Sequence, residues 1–126
     1  AIYVDYLTLM HLPRKRDESL TDAIGAATKG FKAISKEFGC PTFIASQLTR
    51  KKGGDYGLDD LRSSDSPSMD ANQVWIMSVQ DEQRKAQHPS RYGVILNRVK
   101  WRGGPVGEFK LTFDAASSKI YEGECE

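Results

Sequence analysis

The run Ile2-Tyr3-Val4-Asp5 places a carboxylate directly after a short apolar stretch. An acid at the carboxyl end of a buried strand is the arrangement of a Walker B element, where it meets the Mg²⁺ of a bound nucleotide, directly or through water. The alternative is an ordinary acid at the end of a strand. Asp5 by itself does not decide between the two.

A second polar side chain, Gln47, follows the apolar run Phe43-Ile44-Ala45. If both runs are strands of one parallel sheet, Asp5 and Gln47 lie at the same edge. A glutamine at that edge can bond a γ-phosphate or the attacking water, and so report whether the phosphate is present. The alternative is a side chain that caps the strand or bonds only to backbone.

Clustered cations are the remaining candidates. Lys100 and Arg102 stand two residues apart before a Gly-Gly-Pro turn, where they can reach a phosphate on a neighbouring subunit as an arginine finger does. Two basic loops, 14–16 and 50–52, suit the phosphodiester backbone of nucleic acid; they consist of Arg14, Lys15, Arg16, Arg50, Lys51 and Lys52. The alternatives are solvated charges at a sheet edge and in loops.

Composition describes an ordinary globular protein. The chain has 126 residues, 39% hydrophobic and 28% charged, with a formal net charge of +1, so any affinity for nucleic acid must come from local clusters. Cys40 and Cys125 form no zinc-binding pattern, and no apolar run approaches the ~18 residues of a membrane span. We expect no membrane partner and a cytoplasmic location. The phosphate-cradling pattern G-x-x-x-x-G-K-[ST] does not occur in these residues.

The pattern of apolar residues predicts the elements that position these side chains. A buried strand over 2–10 precedes a helix that Ser19 caps, with Asp22 at the reciprocal position and Gly39 at its end. The apolar stripe of this helix is Leu20, Ile24, Ala27, Phe31, Ile34 and Phe38. A second buried strand over 41–47 completes a βαβ unit, and a long polar loop follows over 48–67. Further strands are predicted at 74–79, 92–101, 108–113 and 119–122, with a charged connection over 81–91 and a hairpin turn at 102–107.

The order of these fragments resembles the C-terminal ATPase domain of DnaB-type replicative helicases, including phage versions. The resemblance is carried by Val4-Asp5-Tyr6-Leu7, Ser46-Gln47-Leu48-Thr49-Arg50, Asp60-Leu61-Arg62, Met69-Asp70-Ala71-Asn72 and Lys100-Trp101-Arg102-Gly103-Gly104-Pro105-Val106-Gly107. It extends from about residue 1 to about residue 122. It implies an α/β fold: a partial RecA-like (P-loop NTPase) core, with a parallel sheet, helices and a C-terminal antiparallel hairpin.

The resemblance also implies roles for individual residues. Asp5 matches the Walker B aspartate and Gln47 the glutamine that links phosphate state to the DNA-binding loop. Lys100 and Arg102 match the cations that reach the neighbouring subunit's phosphates, and Arg62 matches an arginine of the subunit contact or nucleotide pocket. The basic loops 14–16 and 50–52 fall where the family binds single-stranded DNA in its central channel. ATP and Mg²⁺ are the implied cofactors.

The resemblance implies that residues 1–126 are one partial domain, with the phosphate loop and catalytic glutamate of the family upstream of Ala1. The intact protein is then expected to be a hexameric ATP-dependent helicase that couples hydrolysis to translocation on single-stranded DNA and unwinding. The chain alone is expected to self-associate into a smaller oligomer without hydrolysing ATP. The alternative is a non-catalytic module that binds single-stranded DNA or a partner. A recombinase or clock-type RecA paralogue is a third option, but it lacks the K-x-R-x-G-P-V-G hairpin.

Overall fold

A computed structural model describes residues 1–14, 16–48, 56–60 and 65–123, and their contacts divide the chain at Ala71 into two units. The first unit, Ala1–Ala71, contains β1 (Ile2–Val4), α1 (Leu20–Glu37), β2 (Thr42–Ile44) and α2 (Asp65–Asp70), with 3₁₀ turns at Leu7–Leu9 and Leu58–Asp60. The second unit, Asn72–Glu126, contains β3 (Gln73–Val79), α3 (Glu82–Gln87), β4 (Arg91–Trp101), β5 (Gly107–Asp114) and β6 (Lys119–Glu122).

The predicted βαβ unit is present, since β1 and β2 pair in parallel with α1 as the connection. The strands are shorter than predicted. β1 ends at Val4, and the chain then turns into a 3₁₀ helix whose Leu7 is only 1% exposed. The Leu7 N–H donates to the Ala45 carbonyl oxygen at 3.1 Å, so this turn remains attached to the end of β2. The prediction of one strand over 2–10 is wrong because Leu7 is buried by this turn and not by continued strand pairing.

Neither strand of this pair is buried on both faces. Tyr3 and Phe43 are register partners whose rings stack at 5.1 Å between centroids, yet they are 76% and 54% exposed. The alternating residues Ile2, Val4 and Ile44 are less exposed. In the described residues, the sheet therefore has one aromatic face open to solvent.

The predicted capping of α1 is confirmed. The Ser19 hydroxyl oxygen accepts from the Asp22 N–H at 3.1 Å and donates to the Asp22 carboxylate at 2.6 Å. Gly39 follows the helix with φ of +58°, a conformation that favours glycine. The buried face of the helix differs from the predicted stripe, because the buried residues are Ala23, Ile24, Gly25 and Thr28.

Helix α2 explains this shift of the buried face. The single hydrogen of the Thr28 hydroxyl is shared between two acceptors, the Gly25 carbonyl oxygen at 3.0 Å and the Asp70 carboxylate at 3.2 Å. The Lys32 ammonium donates to the Asp70 carbonyl oxygen at 2.7 Å. These polar contacts fasten the carboxyl end of α2 to the small-residue face of α1. The prediction of a loop throughout 48–67 is therefore wrong at its described end, where α2 begins at Asp65.

The second unit is a four-stranded antiparallel sheet in the order β3-β4-β5-β6. The hairpin predicted between residues 92 and 113 is confirmed, and β3 pairs antiparallel with its first strand. Buried Val74, Ile76, Val94 and Thr112 form its core. The connection between β3 and β4 contains α3, which the sequence pattern did not predict; the Asp81 carboxylate caps it by accepting from the Gln83 and Arg84 N–H groups.

The turn between β5 and β6 has its own cap. The Asp114 carboxylate accepts from the Ala116 N–H at 2.9 Å and the Ser117 N–H at 3.2 Å. The hydrogen bond from the Ser117 N–H lowers the pKa of Asp114 most, and desolvation opposes it; the Ser117 side chain, the Ala116 N–H and the nearby Arg91 charge also lower it, so that the pKa lies below its ordinary value of 3.8. Together the two units confirm the predicted α/β class. Among the described residues, no helix is long and apolar enough to span a bilayer.

Candidate functional site

Asp5 and Gln47 lie at the carboxyl edge of the parallel strand pair. Val4 and Ile44 are register partners, and the Ala45 N–H donates to the Val4 carbonyl oxygen at 2.9 Å. Asp5 directly follows this paired position, and Gln47 stands a few residues beyond it on the neighbouring chain segment. Both side chains are exposed. The structure thus brings these predicted residues to the same edge of one sheet, where ligands bind in α/β folds.

The carboxylate at this edge fits one part of a Mg²⁺ site. No group of three or more His, Cys, Asp or Glu side chains in the described residues is placed to hold a metal ion. Mg²⁺ at a nucleotide site needs no such group, because it usually takes one or two carboxylates and completes its shell with waters and phosphate oxygens. An exposed strand-end aspartate such as Asp5 meets that requirement.

Lys100 and Arg102 belong to the second unit and occupy different kinds of backbone. Lys100 lies in β4 as the register partner of Val74. β4 ends at Trp101, so Arg102 lies in the following turn and not on the strand, although its N–H still donates to the Asn72 carbonyl oxygen at 3.0 Å. The backbone of Lys100 and Arg102 is therefore held at the end of the sheet by its pairing with the neighbouring segment.

The residue between these cations is part of an aromatic cluster that the sequence pattern did not reveal. The Arg98 guanidinium lies 4.1 Å from the centroid of the Trp101 ring, 5.2 Å from that of Trp75 and 5.9 Å from that of Phe109. Within the described part of the chain, the buried Nε of Arg98 has no hydrogen-bond partner. Three aromatic rings therefore lie around this guanidinium and stabilise it by cation–π contacts.

The first basic loop borders an open cavity. Arg14 and Arg16 are exposed and line a space of about 700 Å³ together with Met10, His11, Leu12, Pro13, Glu18 and Leu20. The other cations predicted to bind DNA or nucleotide lie outside the described residues: Lys15, Arg50, Lys51, Lys52 and Arg62.

Comparison with known proteins places these features in a family. Residues 1–122 match the sequence profile of the DnaB-like helicase C-terminal domain. A replicative DNA helicase DnaB of Mycoplasma genitalium is 32% identical over 128 residues, and a probable replicative DNA helicase of Trieres chinensis is 28% identical over the same length. These matches cover 94% and 96% of this chain but only 27% and 28% of the relatives.

Solved structures agree with the sequence matches. One solved ATPase domain superposes with a TM-score of 0.82 at 27% identity, covering 97% of this chain and 44% of that one. A DnaB-like replicative helicase, solved in a study of its interactions with primase, gives a TM-score of 0.74 at 29% identity, covering 88% of this chain and 28% of that one. The chain belongs to the DnaB-like helicase C-terminal domain family and has the α/β fold of its RecA-like ATPase domains.

Proposed function

We propose that this chain is the C-terminal part of the ATPase domain of a replicative DNA helicase, and that Asp5 and Gln47 form the nucleotide-facing edge of its sheet. The observation that carries the proposal is their placement after adjacent parallel strands in a chain that matches the family over residues 1–122. The chain spans less than a third of the length of its curated relatives, and the phosphate-cradling pattern does not occur in its 126 residues.

Each residue at this edge has a distinct task in the proposal. Asp5 would hold the Mg²⁺ of ATP, directly or through water, and the bound ion would supply positive charge beside the phosphates. Gln47 donates or accepts a hydrogen bond at the γ-phosphate or its attacking water. Because Gln47 is followed closely by the basic loop 50–52, a shift of Gln47 on phosphate release is transmitted along the chain to that loop.

Lys100 and Arg102 act on the nucleotide of the adjacent subunit in this proposal. Cations at a subunit boundary stabilise the negative charge of the transferring phosphoryl group in the transition state. The exposed side chain of Arg102, held on a backbone that still bonds to Asn72, suits a contact across a subunit boundary. This role requires an oligomer, a hexamer by family resemblance.

Single-stranded DNA is the proposed substrate of the basic loops. Arg14 and Arg16 are exposed beside the open cavity, and their charges attract the phosphodiester backbone without reading its sequence.

Self-association of the isolated chain has a separate basis in the exposed Tyr3 and Phe43 rings, since apolar faces of this kind are rarely left uncovered. We expect the protein to act in the cytoplasm.

ATP turnover with Mg²⁺ tests the proposal in the complete helicase. We expect Asp5→Asn to lower kcat by at least about 100-fold, because the amide is a poor ligand for Mg²⁺. Asp17→Asn, a change at another exposed acid outside the strand pair, is the matched control and should retain turnover. Full activity of Asp5→Asn would refute the assignment.

The isolated chain separates the helicase proposal from the non-catalytic alternative. We expect the purified 126 residues to show no Mg²⁺-dependent ATP turnover, because they contain no phosphate loop. ATP turnover by this chain would contradict the proposal that hydrolysis needs a phosphate loop from the rest of the helicase. Restored turnover on adding the remainder of the helicase would support the motor function, whereas DNA binding without any restoration would favour a binding module.

A further inference from the structure

The end of β4 contains a β-bulge that changes which side chains share a face. Trp75 pairs with Arg98, but the preceding residue Val74 pairs with Lys100, so Val99 is the extra residue in β4. In a regular strand, Arg98 and Lys100 would lie on one face and Trp101 on the other. The bulge instead brings Trp101 onto the face of Arg98, where the two stack at 4.1 Å, and turns Lys100 towards the opposite face.

The same Trp101 ring fills the space against the following turn. A Cβ atom placed on Gly104 would lie 2.3 Å from the Trp101 ring, and one placed on Gly103 would lie 3.2 Å from its Nε1. At Gly104 the turn therefore lies so close to the Trp101 ring that a residue with a side chain would fit only if the ring or the turn moved. The ring contacts the Arg98 guanidinium as well as the backbone just beyond Arg102.

We propose that Trp101 is a positioning residue that fixes the backbone between the two cations, so that Lys100 and Arg102 are held for contact with the neighbouring subunit's phosphates. This inference rests on the proposed function of those cations. Lysine and arginine side chains lose much conformational freedom on binding, and a rigid backbone at their roots reduces the entropy that must be lost. A displacement of about 1 Å at such a position can reduce the rate on the order of 100-fold.

Amide hydrogen exchange in the purified chain tests the positioning directly. The reporter is the Arg102 N–H, which donates to Asn72, with the amides of central β4 residues as a reference for global unfolding. We expect Trp101→Leu to lower Arg102 protection by at least about 10-fold relative to the reference amides. Trp101→Phe, which keeps an aromatic ring over Arg98, should restore most of the protection.

Trp75→Leu is the matched control. It removes the chain's other tryptophan, which also lies over Arg98 but is not among the nearest atoms to either turn glycine, so Arg102 protection should persist. If Trp101→Leu fails to fold, Gly104→Ala displaces the ring without removing it and should give the same loss. Unchanged Arg102 protection in folded Trp101→Leu or Gly104→Ala would overturn the inference.

ATPase kinetics of the complete helicase separate this inference from the proposed function. Arg102→Ala tests the function of the cation and should lower kcat on the order of 1,000-fold. Trp101→Leu tests its positioning and should lower kcat by about 10- to 100-fold with little change in the KM for ATP, while Trp101→Phe restores the rate. Normal kcat in Arg102→Ala refutes the proposed function. Loss in Arg102→Ala with normal kcat in Trp101→Leu refutes the positioning role alone.

Discussion

Replacing Gly104 with alanine is a direct test of how tightly the turn packs on Trp101. The new Cβ would lie 2.3, 2.5 and 2.7 Å from ring atoms Cζ3, Cε3 and Cη2 of Trp101. Those distances are far below van der Waals contact, so the ring or the turn must move. Gly104 is not among the described glycines with positive φ, so no left-handed backbone conformation opposes alanine at this position.

The expected loss of stability follows from the contacts that the shift disrupts. Moving the ring away from Arg98 removes a cation–π contact of about 0.5–2 kcal/mol, and forcing an extra methyl group into a packed site typically costs about 1–3 kcal/mol. Alanine recovers about 0.4–1 kcal/mol by restricting the unfolded chain. These terms together span about 0.5–4.5 kcal/mol. Because Gly104 is exposed and the ring can move towards solvent, we expect Gly104→Ala to lower the free energy of unfolding of the antiparallel unit by an amount in the lower part of this range, about 1–2 kcal/mol.

Urea denaturation followed by tryptophan fluorescence measures this loss. The chain has only two tryptophans, Trp75 and Trp101, and both lie in the antiparallel unit, so the signal is specific to it. Gly107→Ala is the matched control, because a Cβ there meets nothing within 4 Å and Gly107 is not among the glycines with positive φ. This control should leave the midpoint unchanged or raise it.

A double-mutant cycle identifies the cause of the loss. In a Trp101→Leu background, where the ring is absent, Gly104→Ala should cost less than about 0.5 kcal/mol, which gives a coupling energy of about 1–2 kcal/mol. Equal costs of Gly104→Ala in both backgrounds would refute the packing argument. Stabilisation by Gly104→Ala in the native background would refute it as well.

Three further outcomes are expected. Thr28→Val should destabilise the βαβ unit by about 1–2 kcal/mol, because the hydroxyl that donates to α2 is lost. Thermal melts followed by circular dichroism measure this loss, with Thr21→Val at an exposed position as the control. An equal loss of stability in both variants would contradict the prediction. The depressed pKa of Asp114 means that its stabilising bonds are complete above the ordinary value of 3.8 and are lost as pH falls through the folded-state pKa. The NMR shifts of the amides that bond it should therefore titrate below 3.8 and stop titrating in Asp114→Asn, whereas a midpoint at or above 3.8 would exclude the depressed pKa. Replacing Arg14 and Arg16 with glutamine should reduce the magnitude of the salt slope of single-stranded DNA binding by about 1.4, and an unchanged slope would remove this loop from the DNA site.

The sequence predicted the elements whose signals are local. The cap at Ser19, the glycine that ends α1 and the hairpin near Gly103 each depend on a few adjacent residues, and all are present. Helix α3 was missed because a six-residue helix offers too little periodicity, although its Asp81 cap was a readable signal. Burial was harder to predict, because the buried side of α1 depends on the Thr28–Asp70 contact with a distant segment.

The same distinction between local sequence signals and contacts with distant segments applies to the candidate site. Asp5 and Gln47 could be placed at one edge because parallel strands with a helical connection share their carboxyl ends. The role of the residue between Lys100 and Arg102 could not be read in this way. A spacing of two residues on a strand predicts side chains on one face, but β4 ends at Trp101, so Arg102 lies in the turn. The register shift at Val74/Trp75 also brings Trp101 onto the face of Arg98, which the spacing does not predict.

The bulge gives the Lys-x-Arg-Gly-Gly pattern a physical explanation that its spacing alone does not provide. One extra residue in β4 places the aromatic side chain between the two cations on the face of Arg98, which regular alternation along the strand would not do. The ring can then stack on Arg98. The same ring supports the turn because the turn approaches it closely, and this close approach requires glycine at position 104. Trp101, Gly104 and the bulge are therefore mutually dependent. A change at any one of them should alter the backbone of Arg102 before it alters the strands.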